Sequence, residues 1–149
     1  MKKILIALVA MFAIAGSVNA QKAPTGSQRD EIICKDMIFN MVNVGNKYAI
    51  TRTPISYYLY WVVTGEKAHG PHTSVSEAAY VNTGKQQHMV NILNKESKGA
   101  VTFSIATMSQ IQEAKRYGLK GDIRHHGATT LGFYLVMPYK QWKQYENTM

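Results

Sequence analysis

The chain has 149 residues with 17 Lys and Arg against 9 Asp and Glu, a net charge of +8, one cysteine and five histidines. That length holds a single domain, large enough for a real core yet small enough to be marginal. One thiol excludes an internal disulfide, so packing has to supply the stability, and the positive balance points toward acidic partners or simply toward solubility.

Residues 1–20 read as a cleavable secretion signal. Lys2 and Lys3 form a short positive start, Ile4 to Gly16 is an uncharged, mostly apolar run, and Val18-Asn19-Ala20 offers small side chains for cleavage before Gln21. The run is shorter than the roughly 20 apolar residues a membrane-crossing helix needs, and no cysteine follows it to carry a lipid anchor. The expected location is therefore periplasmic or secreted, and loss of Lys2 and Lys3 leaves the remaining chain at +6.

Residues 21–35 read as a flexible leader, polar through Asp30 with Pro24 and Gly26 inside it. Cys34 is expected to be a half-buried, inert thiol. Asp36 to Val44 alternates and reads as a strand, with a turn at Gly45-Asn46 and a second strand at Lys47 to Thr51. Thr53-Pro54 reads as the cap and first residue of a helix running to Thr64 and stopped by Gly65. Its aromatic stretch Tyr57 to Trp61 resembles a carbohydrate platform, but at helical spacing such residues belong to a core.

Lys67 to Ser74 is a turn-rich loop, and Ser76 to Val81 is ambiguous. A helix is expected over Thr83 to Lys95, a short strand over Ala100 to Ile105, and a third helix over Thr107 to Tyr117. Thr107 with Gln110 forms a capping box, Ile111 and Ala114 face inward, and Gly118 ends the helix. Gly121 to Thr130 reads as a loop. Leu131 to Met137 is the strongest strand, its unbroken apolar character suiting a central place in a sheet. The tail 138–149 is either an amphipathic turn or a partly ordered end. The class is α+β: a small, twisted, mainly antiparallel sheet with three helices, the domain occupying 36–137.

The order of these pieces resembles the formylglycine-generating enzyme family, the sulfatase-modifying factors, whose fold is C-type-lectin-like. Phe39-Asn-Met-Val-Asn-Val-Gly45 is similar to the family's opening strand, and Thr51 to Gly65 to its first strand-to-helix segment, with Pro54-Ile55-Ser56 in place of Glu-Val-Thr. Val81 to Asn94 resembles the segment after the Val-Ser-Trp-x-Asp-Ala signature, but Thr83 and Lys85 stand where Trp and Asp belong. Phe103 to Gly118 tracks the Tyr-Arg-Leu-Pro-Thr-Glu-x-Glu-Trp-Glu-x-Ala-x-Arg-Gly motif, keeping Thr107, Ala114 and Arg116. Ala106, Met108, Gln110 and Ile111 replace the Pro, both early Glu and the Trp. Leu131-Gly-Phe-Tyr-Leu-Val136 is similar to the closing strand.

The resemblance implies a reduced member of that family. Only the short stretch between Gly118 and Leu131 stands where the family carries its calcium-binding residues, its Trp- and Gly-rich motifs and its cysteine pair. Copper(I) oxidase chemistry needs two thiolates, so the single Cys34 argues against formylglycine-generating activity and leaves no cofactor to expect. The histidines cluster at His69/His72 and His125/His126 without metal-site spacing or a nearby HExxH, so no metal is expected either.

The remaining expectation is an exported, non-catalytic binding or structural module. Its candidate ligand residues are His69, His72, Arg124, His125 and His126, and its partner is an envelope protein or an anionic glycan. A small secreted enzyme or toxin centred on those histidines is the alternative. Tyr139, Lys140, Trp142, Lys143 and Tyr145 form a candidate membrane or partner surface. Arg116, Lys120, Arg124, Lys140 and Lys143 with the aromatic residues suit nucleic acid in principle, but an exported protein rarely meets it, so no nucleic-acid partner is expected.

Overall fold

The computed structural model describes residues 22–70, 73–126 and 129–146, with only the backbone of 124–126 and 129–131. The chain is α+β. Helix α1 (Gly26–Ile32) runs directly into a π-helical segment, Ile33–Ile38. A hairpin follows, β1 (Val42–Val44) and β2 (Tyr48–Ile50), then helices α2 (Tyr57–Thr64) and α3 (Thr83–Glu96). Strand β3 (Ser104–Ile105) leads to α4 (Met108–Ala114) and a 3-10 turn, Lys115–Tyr117. The remaining elements are β4 (Arg124–His126), β5 (Thr129–Leu131), β6 (Leu135–Pro138) and α5 (Tyr139–Glu146).

Four strands form one antiparallel sheet in the order β1-β2-β6-β3, and β4 and β5 pair separately. Strand alternation sorts the sheet's side chains into two cores. Ala49, Leu135 and Met137 join the larger core, which also takes the buried sides of the π-helical segment, α2, α3 and α5. Val42, Val44, Ile50 and Val136 face the smaller one, closed by Ile111 and Ala114 of α4. β6 therefore lies between two strands and two cores, which is why its sequence is apolar without alternation.

Local chemistry sets the element ends. Gly45 and Asn46 both have positive φ, +59° and +58°, and Asn43 Oδ1 accepts from the Asn46 N–H, which closes the β1–β2 turn at the expected place. The Thr107–Gln110 capping box forms as the sequence predicts, with Ile111 and Ala114 buried. α3 starts from Asn82, whose Oδ1 accepts from the Lys85 N–H at 2.9 Å.

Several elements differ from the sequence reading, and the described residues hold five α-helices where three were expected. The supposed leader is helical from Gly26, and the expected strand from Asp36 begins only at Val42. Ile33, Cys34, Met37, Ile38 and Met41 are all buried, a spacing of three and four that makes an inward helical stripe. α2 starts at Tyr57, capped by Ser56 Oγ at 3.0 Å from Leu59 N, not at Thr53-Pro54. The Ile55 N–H donates to Phe133 O, which keeps that segment extended. The expected loop 121–130 contains β4 and the start of β5, and the expected strand Leu131–Met137 is divided between β5 and β6. The tail is helical through Glu146, and Cys34 is fully buried rather than half-buried.

Candidate functional site

A groove of about 980 Å³ opens where three stretches of chain meet: Thr53–Tyr57, Val75–Tyr80 and Gly121-Asp122. Its first wall continues the sheet. Beyond β2, the Thr51 N–H donates to Leu135 O and the Ile55 N–H to Phe133 O, so this strand direction extends past the end of the paired register. The second wall is pinned to the first by three backbone bonds, from Tyr57 N to Glu77 O, Tyr58 N to Ser74 O and Ala79 N to Ile55 O. Ser56 and Ala78 face each other in an antiparallel bridge. The Ser74 hydroxyl accepts from the N–H groups of Ser76 and Glu77, both at 3.2 Å, and shapes the turn that enters this wall.

The third wall is held by close packing. Gly121 has φ +79°, and a Cβ there would lie 2.7 Å from Pro54 Cδ and 3.3 Å from the Tyr134 hydroxyl. Only glycine allows this approach. The Tyr134 hydroxyl donates to Lys120 O at 2.7 Å, and burial, with the Asp122 charge added, pushes it up to about 12.

Two aromatic rings give the groove its apolar character. Tyr57 is buried and meets Tyr80 edge to face, with ring centres 6.1 Å apart. Tyr80 is 38 % exposed and Val75 72 % exposed. Of the four large apolar or aromatic side chains left exposed among the described residues, Val75, Tyr80, Met108 and Tyr117, two border this groove. Among the described residues, its charged lining side chains are both acidic, Glu77 and Asp122. Asp122 Oδ1 accepts from the Ile123 N–H at 3.0 Å and lies 3.4 Å from Lys115 Nζ. Glu77 is exposed and has no ion-pair partner among the described residues.

His69 stands behind the groove rather than in it. Its Nε2 is bonded to Tyr80 O, and its ring meets the Tyr57 ring at 6.2 Å, so it supports the aromatic pair. His72 lies outside the described residues. Arg124, His125 and His126 form β4, paired with Leu131, Thr130 and Thr129. Their strand begins two residues after Asp122, but their side chains lie outside what is described. No group of three potential metal ligands occurs among the described residues.

The expected tail surface needs correction. Trp142 and Tyr145 are buried in the larger core, and the Trp142 indole N–H donates to Ile38 O at 2.9 Å. Tyr139 is half-buried. Only Lys140 and Lys143 of that set are exposed, and the Lys143 ammonium lies 5.6 Å from the Tyr139 ring centre. Trp142 and Tyr145 therefore serve the core and are not part of an exposed surface. No helix among the described residues is long and apolar enough to cross a membrane.

Sequence reasoning missed Val75, Glu77, Tyr80 and Asp122. The available signal was an isolated Val and Tyr in an otherwise small and polar stretch, Ser74 to Tyr80, where neither a helical nor a strand period holds. No family model, no curated protein and no solved structure matches this chain.

Proposed function

We propose that the chain is an exported, non-catalytic binding module that holds an envelope protein through the groove between Thr53–Tyr57 and Val75–Tyr80. The observation that carries this reading is the exposed Val75–Tyr80 edge over a preformed groove of about 980 Å³. A concave site with aromatic lining and few polar groups is the usual form of a recognition site. The groove's hydroxyls, on Thr53, Ser56, Ser76 and the two tyrosines, have no imidazole or thiol among the described lining residues to activate them, and its carboxylates are exposed. That composition favours binding over turnover.

The proposed framework is that of a reduced sulfatase-modifying-factor-like, C-type-lectin-like domain. Its support is the order of the hairpin, α2, α3, the boxed α4 and a closing central strand. The secretion signal over residues 1–20 belongs to the same proposal. Between the two partner classes suggested by composition, the groove favours polypeptide over an anionic glycan, because Glu77 and Asp122 would repel a polyanion.

Photocrosslinking in living cells tests this. A benzophenone amino acid at position 75 or 80 is expected to capture a defined envelope protein, whereas the same probe at exposed Met108 or Tyr117 captures none. The captured protein, once purified, should bind wild type and lose binding to Val75→Asp. Equal capture at all four positions, or binding indifferent to Val75→Asp, would overturn the reading.

A further inference from the structure

The groove's charge runs against that of the molecule. The whole chain is +8, yet among the described residues the charged side chains in the groove lining are carboxylates. Among the described residues, Asp30, Glu31, Glu96, Glu113 and Asp122 lie against Lys or Arg, and Glu66 lies 3.3 Å from the His88 ring. Glu77 has no ion-pair partner among the described residues, and it lines the groove together with Val75, Tyr57 and Tyr80. A carboxylate that shares a groove with aromatic rings and an aliphatic side chain suits an ammonium or guanidinium group carried on an apolar stem.

The backbone of the same wall adds a direction. In the Ser56–Ala78 bridge the hydrogen bonds are made by the flanking residues, Tyr57 with Glu77 and Ala79 with Ile55. The N–H and C=O of Ala78 therefore point away from the first wall, and neither has a backbone partner among the described residues. An extended peptide lying along this edge could use both groups while alternate side chains enter the groove.

Resting on the groove being the recognition site, we infer that its occupant is an extended segment of the partner that presents Lys or Arg to Glu77 and Asp122. Glu77 is the stronger of the two anchors, because Lys115 at 3.4 Å already partly neutralises Asp122. The groove thus selects cationic strands, although the protein that carries it is itself basic.

Fluorescence anisotropy decides the matter, with the protein purified in the form in which it accumulates. The probe is a labelled, end-blocked eight-residue peptide alternating Lys and Val, with Gln and Glu versions as controls. Binding by the Lys peptide is expected, weakening with salt, with the Gln version about fivefold poorer and the Glu version not binding. Glu77→Gln should weaken the Lys peptide about two- to fivefold, the range of an exposed charge pair, and Asp122→Asn should weaken it less. Lys115→Gln should strengthen it. The two carboxylate variants change exposed groups, and the amide introduced by Asp122→Asn keeps an Oδ1 to accept from the Ile123 N–H, so thermal melts should remain at the wild-type value.

If Lys and Gln peptides bind alike and both are lost with Val75→Asp, the cation preference is overturned while the groove reading survives. Lys-peptide binding that ignores Val75→Asp overturns both. Equal affinity for N-acetyl-lysine methylamide would make the occupant a small amine and overturn the strand.

Discussion

Arg29 holds α1 against the fold, and replacing it should show how much the N-terminal helix contributes. Its Nε donates to Val62 O at 3.1 Å and its Nη2 to Val63 O at 2.8 Å, carbonyls in the last turn of α2. Nη2 also pairs with Glu96 of α3 at 2.7 Å, and Nη1 lies 3.6 Å from Asp30, a residue only 3 % exposed. One guanidinium thus joins three helices. Arg29→Met keeps most of the stem but removes every one of these bonds. Hydrogen bonds to a charged group contribute about 1.5–3 kcal/mol, and a buried carboxylate left without its cation adds to the loss. The Glu96 pair, half in water, adds little. A total of at least about 3 kcal/mol follows, or a fall of at least roughly 1.5 M in the urea midpoint at a slope of about 2 kcal/mol per molar. Equilibrium urea unfolding at pH 7 measures this directly. Glu96→Gln should move the midpoint by less than about 0.3 M, and Asp30→Asn placed on Arg29→Met should recover part of the loss. A midpoint shift below about 0.5 M for Arg29→Met would refute the reasoning, because it would make α1 an undocked appendage.

Four other outcomes are expected. Burial pushes the Asp30 carboxyl above its ordinary value near 3.8, against the pull of Arg29, so wild type loses stability as pH rises from about 3.8 through the raised native value. Asp30→Asn should lack that loss, so its thermal midpoint should match wild type below pH 3.8 and exceed it at neutral pH. The Cys34 thiol, pushed up to about 12 by burial and then by Asp30, should resist a thiol-reactive dye in the native protein, with labelling rates that rise with urea in step with unfolding. Trp142→Phe removes the indole bond to Ile38 O and should cost about 1–2 kcal/mol in urea unfolding. Gly121→Ala places a methyl against Pro54 at a positive φ, and should lower stability by about 2 kcal/mol while weakening whatever binds the groove.

Readable from sequence were the features whose signal is local. The Gly45-Asn46 turn, the Thr107–Gln110 box, the Gly65 stop and the central place of Leu135 to Met137 all depend on residues within a few positions of one another. The misread stretches depend on distant partners. Asp36 to Val44 carries both a strand-like alternation and a helical repeat, and the helical repeat wins up to Ile38. There α2, α3 and α5 cover the Ile33, Cys34, Met37 and Ile38 side chains, and the Trp142 indole takes a carbonyl at the end of the π-helical segment. The amphipathic look of Tyr139 to Tyr145 was sound as periodicity, but which face met protein was decided by that π-helical segment, about a hundred residues earlier. The histidines stand out in the sequence by their chemistry. The groove was built instead from Pro54, Val75, Glu77, Tyr80 and Asp122, residue types too ordinary to stand out until three distant stretches meet.

That assembly also bears on how tightly such a groove can hold a partner. Its first wall is anchored to Leu135 in the central strand β6 and to Phe133 just before it, and its third wall is set by Gly121 against Pro54 and by the buried Tyr134. The second wall is tied on by backbone bonds at Tyr57, Tyr58 and Ala79, and behind it His69 takes the Tyr80 carbonyl. Little of this has to be ordered when a partner arrives, so the cost of binding falls mainly on the incoming strand. The exposed ends of the apparatus, Val75, Glu77 and Asp122, then have only to discriminate. Charge at two of them changes which strand is chosen more than how firmly the groove is built, and so carboxylate variants should separate specificity from stability where Gly121→Ala cannot.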